Sequence, residues 1–130
     1  MERGFLPKIE MTINPDVISD EYIKDTMDEE GRVKGDMKFE EVNGVGSKIK
    51  ELHSVFYESS GDIYDEFYSD IPKVFGEDCY VDPLWRKVAF YRFYYSHQIA
   101  YVIYSLKWID DDGNKFETSC RLDLPGGGKQ

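Results

Sequence analysis

The chain is poor in the groups on which chemistry is usually built. Its 130 residues include two cysteines and two histidines. No apolar run reaches the length of about eighteen residues that a membrane helix needs, and no signal-peptide pattern opens the chain. Cys79 and Cys120, without a secretion signal, read as reduced, buried thiols in a cytoplasmic or virion protein. Positive charge is also scarce. Sixteen Lys and Arg stand against 26 Asp and Glu, giving a net charge of -10 and a pI near 4.6. That balance opposes binding to phosphate backbones, which needs clustered cations. It permits a basic partner, or a surface that imitates a polyanion. Neither a nucleic acid nor a membrane is therefore an expected partner.

Motifs for cofactors and catalysis are missing as well. Gly44-Val45-Gly46-Ser47 lacks the Lys of a phosphate loop. Asp110, Asp111, Asp112 and Asn114 surround Gly113, but Trp108 and Ser119 stand where a calcium loop needs Asp and Glu. A turn explains them without a metal. A metal site or a catalytic base would need His53 or His97 near a carboxylate or thiol, a proximity sequence does not give, so each reads as a surface or core histidine. Ser59-Ser60-Gly61-Asp62 reads as cap-and-break chemistry, not as a nucleophile beside an acid. No catalytic residue, metal or cofactor is predicted.

What the chain does have is aromatic side chains. Eight of its twenty fall between Phe90 and Trp108. This stretch runs through Asp110-Asp111-Asp112-Gly113 into an alternating segment, Phe116 to Leu124. A three-residue loop, Asp111 to Gly113, with Gly113 in the left-handed region, sets the hairpin register. It pairs Trp108 with Phe116, Leu106 with Thr118, Tyr104 with Cys120, Val102 with Leu122 and Ala100 with Leu124. That face is almost wholly apolar. A two-residue turn would set Trp108 against Glu117 and is disfavoured.

Upstream, Lys8 to Ile13 alternates and reads as a strand. Asn14 and Pro15 suit the cap and first position of a helix with Ile18, Tyr22, Ile23 and Met27 inward. Its acidic end, Asp28-Glu29-Glu30, sits at the unfavourable pole, so the helix stops near Thr26 or the acids serve something else. Val33 to Val42 reads as extended, broken by Gly35. Ser47 suits the cap of a second helix with Ile49, Leu52 and Phe56 inward. Asp62 suits the cap of a third, carrying Ile63, Tyr64, Phe67 and Tyr68 and ended by Pro72. Tyr80-Val81 reads as an edge strand. Trp85 to Tyr95 and His97 to Ile109 read as long strands.

These elements predict an α+β domain over residues 1–124. An antiparallel sheet of about four or five strands, ending in the hairpin, packs on two or three helices. A Gly-rich tail, 125–130, follows. Ser60 to Tyr64 and Val74 to Pro83 also resemble the opening of the cone-shaped NTF2-like domains. Those domains pack helices into a curved antiparallel sheet that can hold a small ligand. The resemblance covers about twenty residues, and no family catalytic residue can be placed.

The expected function is a non-catalytic protein-binding or assembly module, acting through a protein partner or a homo-oligomer. A subunit of a virion or of another multi-protein complex is an example. Two alternatives stand beside it: an acidic inhibitor of a basic nucleic-acid-binding surface, and a small-ligand domain of NTF2 type. Tyr91, Tyr95 and Tyr101 are spaced for a half-exposed strand face, and such faces are enriched at interfaces. With Asp20, Glu21, Asp28, Glu29 and Glu30 they form the candidate interface.

Overall fold

A computed structural model describes residues 6–125 of the chain. The predicted α+β arrangement does not form. Strands make up 52% of the structure and helices 11%. Two antiparallel sheets face each other across one core. The first is ordered β1 (Ile9–Asn14), β2 (Arg32–Glu41), β6 (Arg86–Tyr94). The second is ordered β4 (Ile63–Tyr68), β3 (Ser47–Tyr57), β7 (Tyr101–Ile109), β8 (Lys115–Asp123). A short β5 (Tyr80–Val81) also pairs with β3. The two helices are short, α1 (Asp20–Thr26) and α2 (Ile71–Phe75). Among the described residues, no helix is long and apolar enough to cross a membrane.

The C-terminal hairpin forms in the predicted register. Trp108 opposes Phe116, Tyr104 opposes Cys120 and Val102 opposes Leu122, while Gly113 takes φ +84°. The Trp108 and Phe116 rings stack 5.9 Å apart. Asp110 organises the loop. Its carboxylate accepts the backbone N–H groups of Asp112 and Asn114 and the Asn114 side-chain amide. Those bonds, the Asn114 amide foremost, hold its carboxyl below the usual carboxylate range.

Elsewhere the expected helices are strands. Residues 47–57 form β3, with Ser47, Ile49, Leu52, Ser54 and Phe56 buried. A bulge between Ile49 and Glu51 moves the inward positions from odd to even. The resulting spacing, 49, 52, 56, imitates a helix. Residues 63–68 form β4, which turns back on β3. Pro72 lies inside α2 and ends no helix. The first helix does exist, but Ser19 caps it, not Asn14. The Ser19 side chain accepts the Tyr22 N–H. Asn14 closes β1 instead. The helix stops at Thr26, as its acidic end requires.

The strand across residues 33–42 is not broken at Gly35. Gly35 pairs with Tyr91, and the Tyr91 ring occupies the space a Cβ would fill. The strand expected over Trp85 to Tyr95 forms as β6, Arg86–Tyr94, but the one expected over His97 to Ile109 begins only at Tyr101, and the two do not share a sheet. The chain crosses between sheets at Ser96 to Ala100. The segments that resembled NTF2-like domains fall in the β3–β4 hairpin and in α2 and β5. The helices are too short to fill a cone. Of the predicted tail, 125–130, residues 126–130 lie outside the described residues.

The sandwich is closed along one side. There β1 lies against β8, the Ile18 N–H bonds the Asp123 carbonyl, and the Trp108 Nε1–H reaches the Pro7 carbonyl. Across the middle, Phe56 meets Phe93 edge-to-face at 5.2 Å, and Tyr91 lies 6.1 Å from Tyr104. Phe75 of α2 caps one end against Phe39 and Trp85.

Glu41 ties three chain segments together. It is 2% exposed and has no cationic partner among the described residues. Oε1 accepts the N–H groups of Gly44, Val45 and Leu84 at 2.8–2.9 Å. Oε2 accepts those of Lys8 and Asn43 at 3.1 Å. Leu84 adopts φ +61° to deliver its N–H, a backbone region that costs a non-glycine residue about 1 kcal/mol or more. Burial pushes the Glu41 carboxyl up, and the five N–H groups push it down. The balance leaves it below its ordinary 4.5.

Three outcomes follow from this architecture. Trp108→Ala empties a buried site and should cost about 3–5 kcal/mol. Gly113→Ala meets no neighbour and should cost only the strain of its positive φ, about 1 kcal/mol. Asp110→Ala should cost more than Asp111→Ala, because Asp110 alone anchors the loop. Urea denaturation of the four variants checks the ranking.

Glu41→Gln keeps the shape but turns an NH2 group toward two N–H donors. It should cost about 3 kcal/mol near neutral pH. The folded-state pKa of Glu41 is depressed, so its stabilisation is complete above the unfolded value of 4.5 and is lost as pH falls through the folded value. The stability gap between the native chain and Glu41→Gln should therefore close on acidification. A gap that stays constant from neutral pH to well below 4.5 would contradict this role.

Candidate functional site

The second side of the sandwich stays open. There the free edges of β4 and β6 flank a seam. Among the described residues, strand β6 bonds only β2 and β4 bonds only β3. On β6 the odd-numbered residues turn their backbone groups toward β2, as the bonds from Glu41 N–H to Trp85 and from Tyr95 N–H to Gly31 show. Arg86, Val88, Phe90, Arg92 and Tyr94 therefore turn N–H and C=O outward, unpaired. On β4 the Ser69 N–H bonds Leu52, so Tyr64, Glu66 and Tyr68 present the free edge.

Large apolar side chains collect on these two edges. Phe90 is 72% exposed and Tyr94 64%, with Val88 beside them on the same face of β6. Ile63, Tyr64, Phe67 and Tyr68 are exposed on β4. Phe67 faces into the seam and stacks on Phe56 at 5.7 Å. Tyr68 faces outward and stacks on His53 at 4.2 Å, and the His53 ring also bonds Glu66 at 2.8 Å. His53 is thus absorbed by the β3–β4 pair.

The predicted interface tyrosines do not share a surface. Tyr91 is 3% exposed and points into the core, where its hydroxyl donates to the Pro15 carbonyl at 3.3 Å. Burial raises its pKa, with smaller pushes from Tyr22 and Asp36. Tyr95 is half-buried and its hydroxyl meets His97 Nδ1 at 3.3 Å. Burial raises its pKa, helped by the charge of Asp20. Tyr101 lies on the outer face of β7, stacked on Tyr57 at 4.8 Å with the Arg121 guanidinium 3.9 Å over its ring.

The acids also divide. Asp20 and Glu21 occupy the first turn of α1, where negative charge is favourable. Asp28 is consumed by the turn into β2, accepting from Glu30 N–H, Arg32 N–H and Arg32 Nε. Those bonds, the Arg32 backbone N–H first, keep its carboxyl below the usual range despite some desolvation. Glu29 and Glu30 are exposed beside it.

The seam residues were missed because β6 carries aromatics at 90, 91, 93, 94 and 95, on both faces. Alternation cannot say which face is inward in such a run. The available signal was the run itself, since a strand apolar on both faces is either central or an edge that meets something. Both cysteines are free and half-buried, and burial pushes the Cys120 thiol up to about 12. Among the described residues, no group of three or more His, Cys, Asp and Glu is placed to hold a metal ion.

No protein-family model matches the chain, and no curated protein sequence matches it. Solved structures do share its shape. A Bordetella pertussis protein named ApaA superposes with a TM-score of 0.59 at 8% identity, over 92% of this chain and 95% of its own. The CARDB domain of a Pyrococcus furiosus protein, solved with di-metal ions, gives 0.40 at 12% identity, over 91% and 88%. The Pseudomonas fluorescens alkylpurine DNA glycosylase AlkC, bound to DNA containing an abasic site analogue, gives 0.47 at 10% identity. That match covers 93% of this chain and 31% of the glycosylase. At these identities the ApaA likeness speaks for the fold alone.

Proposed function

We propose that this chain is a non-catalytic protein-binding module that meets its partner along the open seam between β4 and β6. One observation carries the reading. Seven large apolar side chains, on two neighbouring unpaired edges, face solvent. Exposed apolar clusters of this kind on a soluble fold mark interaction sites. Unpaired edges invite a further strand, and natural proteins usually blunt or cover them. Aromatic side chains are the residues that dominate binding energy when an interface buries them. The acidic surface around α1 keeps the molecule soluble and sets the sign of its long-range field.

The test separates binding from folding. Phe90→Ser with Tyr64→Ser should leave the melting temperature within a few degrees, because exposed positions carry about 0.5 kcal/mol or less of stability each. The same pair of substitutions should abolish retention of the native partner when the tagged chain is purified from its own cells. Tyr101→Ser, on the far face, should leave retention intact. The opposite pattern, with Tyr101→Ser abolishing retention and the seam variant preserving it, would move the site to the β7–β8 face.

A further inference from the structure

We propose that the free edge of β6 takes an extended, acidic segment of a partner protein, which adds to the first sheet as its fourth strand. The proposal rests on the seam reading above and names what enters it. A cleft of about 640 Å³ runs along this edge. Lys34, Lys73, Lys87 and Arg92 line it beside Val88 and Phe90, and no acid does. This is an unusual place in a chain with 26 acids and 16 bases. Lys34, Lys87 and Arg92 form no ion pair among the described residues. The Lys73 ammonium lies 3.9 Å from Asp70, and Arg86 meets Glu40 at 3.5 Å. Asp36 opposes Phe90 on β2 without lining the cleft.

Three features narrow the occupant. The row of outward N–H and C=O groups on Val88, Phe90 and Arg92 matches a peptide backbone, not a phosphodiester one. Side chains alternate along an added strand, so one face of the guest would lie over Val88 and Phe90. The cations then ask for carboxylates on that guest. A second copy docking β6 against β6 would bring two such cationic sets together, which like-charge repulsion opposes. Lys and Arg on an edge commonly guard against such self-pairing, and they leave an acidic strand welcome. A nucleic acid has no N–H and C=O row to pair with this edge, and the net charge of -10 opposes its many phosphates more than the few carboxylates of a peptide strand.

The test uses the full chain and fluorescein-labelled synthetic peptides, read by anisotropy. A short peptide alternating Glu and Val should bind, and its counterpart alternating Lys and Val should bind about tenfold more weakly or not at all. Binding should weaken by about tenfold between low and high salt, since exposed charges are screened over about 10 Å at 0.1 M. Lys87→Glu with Arg92→Glu should invert the preference between the two peptides. N-methylation of alternate peptide nitrogens should abolish binding in one phase and spare it in the other, as only an added strand requires.

Equal affinity for both peptides, or indifference to the phase of N-methylation, would overturn the proposal. So would tighter binding of single-stranded oligothymidine. Concentration-dependent dimerisation that is lost in Phe90→Ser would also overturn it, by making a second copy the occupant, while leaving the seam reading standing. Loss of the seam reading itself would show instead as partner retention that survives Phe90→Ser with Tyr64→Ser.

Discussion

A single buried carboxylate holds the connecting end of this sandwich together. Glu41 ends β2, and its two oxygens collect five backbone N–H groups from three segments. Those segments are the approach to β1, the β2–β3 loop and the β5–β6 loop. Each belongs to an irregular stretch whose donors no strand can satisfy. Left unpaired in the interior, such donors cost about 1–3 kcal/mol each. Satisfying them with one charged group is why a carboxylate can be buried here without a cation. The same geometry explains the left-handed Leu84, whose backbone is bent to a donor's duty. The start of β6, at Arg86, is therefore set by the bond to Glu41 from Leu84, two residues before it, and β6 is the strand that bears the candidate site.

From that anchor the asymmetry of the two sides follows. Where β1 meets β8, the chain between β1 and α1 runs alongside the end of β8 and closes the gap with backbone bonds at Ile18 and Asp123. Where β6 meets β4, no comparable backbone bond bridges the sheets among the described residues. Helix α2 fills one end with Phe75, and Phe67 faces the rest, while Phe90 and Tyr94 stand on the outer face of β6. Both sheets thus keep an edge at the same place.

The hairpin was legible in the sequence and the helical half was not, and the reasons are physical. Trp108 to Leu124 alternates strictly, with a glycine where a positive φ is needed, so pattern and turn chemistry agree. Strand β3 alternates too, but the bulge at Lys50 shifts its phase, and Ile49, Leu52 and Phe56 then fall at helical intervals. Strand β4 carries Ile63, Tyr64, Phe67 and Tyr68 because both its faces meet aromatic neighbours. That double-sided pattern also falls on one helical stripe. Propensity within a window cannot see a bulge or an edge, which exist only once a second strand is placed. Tyr91 was assigned to the wrong face for a related reason. Five aromatics in six positions leave no polar residue except Arg92 to mark the outside.

Arg92 was that mark, and it also joins the fold to the candidate site. It opposes Lys34 across the β2–β6 pair, so two cations share one outer face without an intervening acid. Adjacent like charges cost stability in a folded sheet. Nothing in the core requires them, since their side chains leave the sandwich altogether. On the opposite sheet two outer cations are paired, Lys107 with Glu51 and Arg121 with Asp123. A chain with ten surplus negative charges has acids to spare, yet none lines the cleft along Val88 to Arg92. An unpaired edge, exposed rings and uncompensated cations coincide on that one strand. Each alone has an ordinary explanation, in solubility, in incomplete burial or in protection against aggregation. Together they describe a surface complementary to an acidic strand, and only an occupant of that kind would satisfy all three at once.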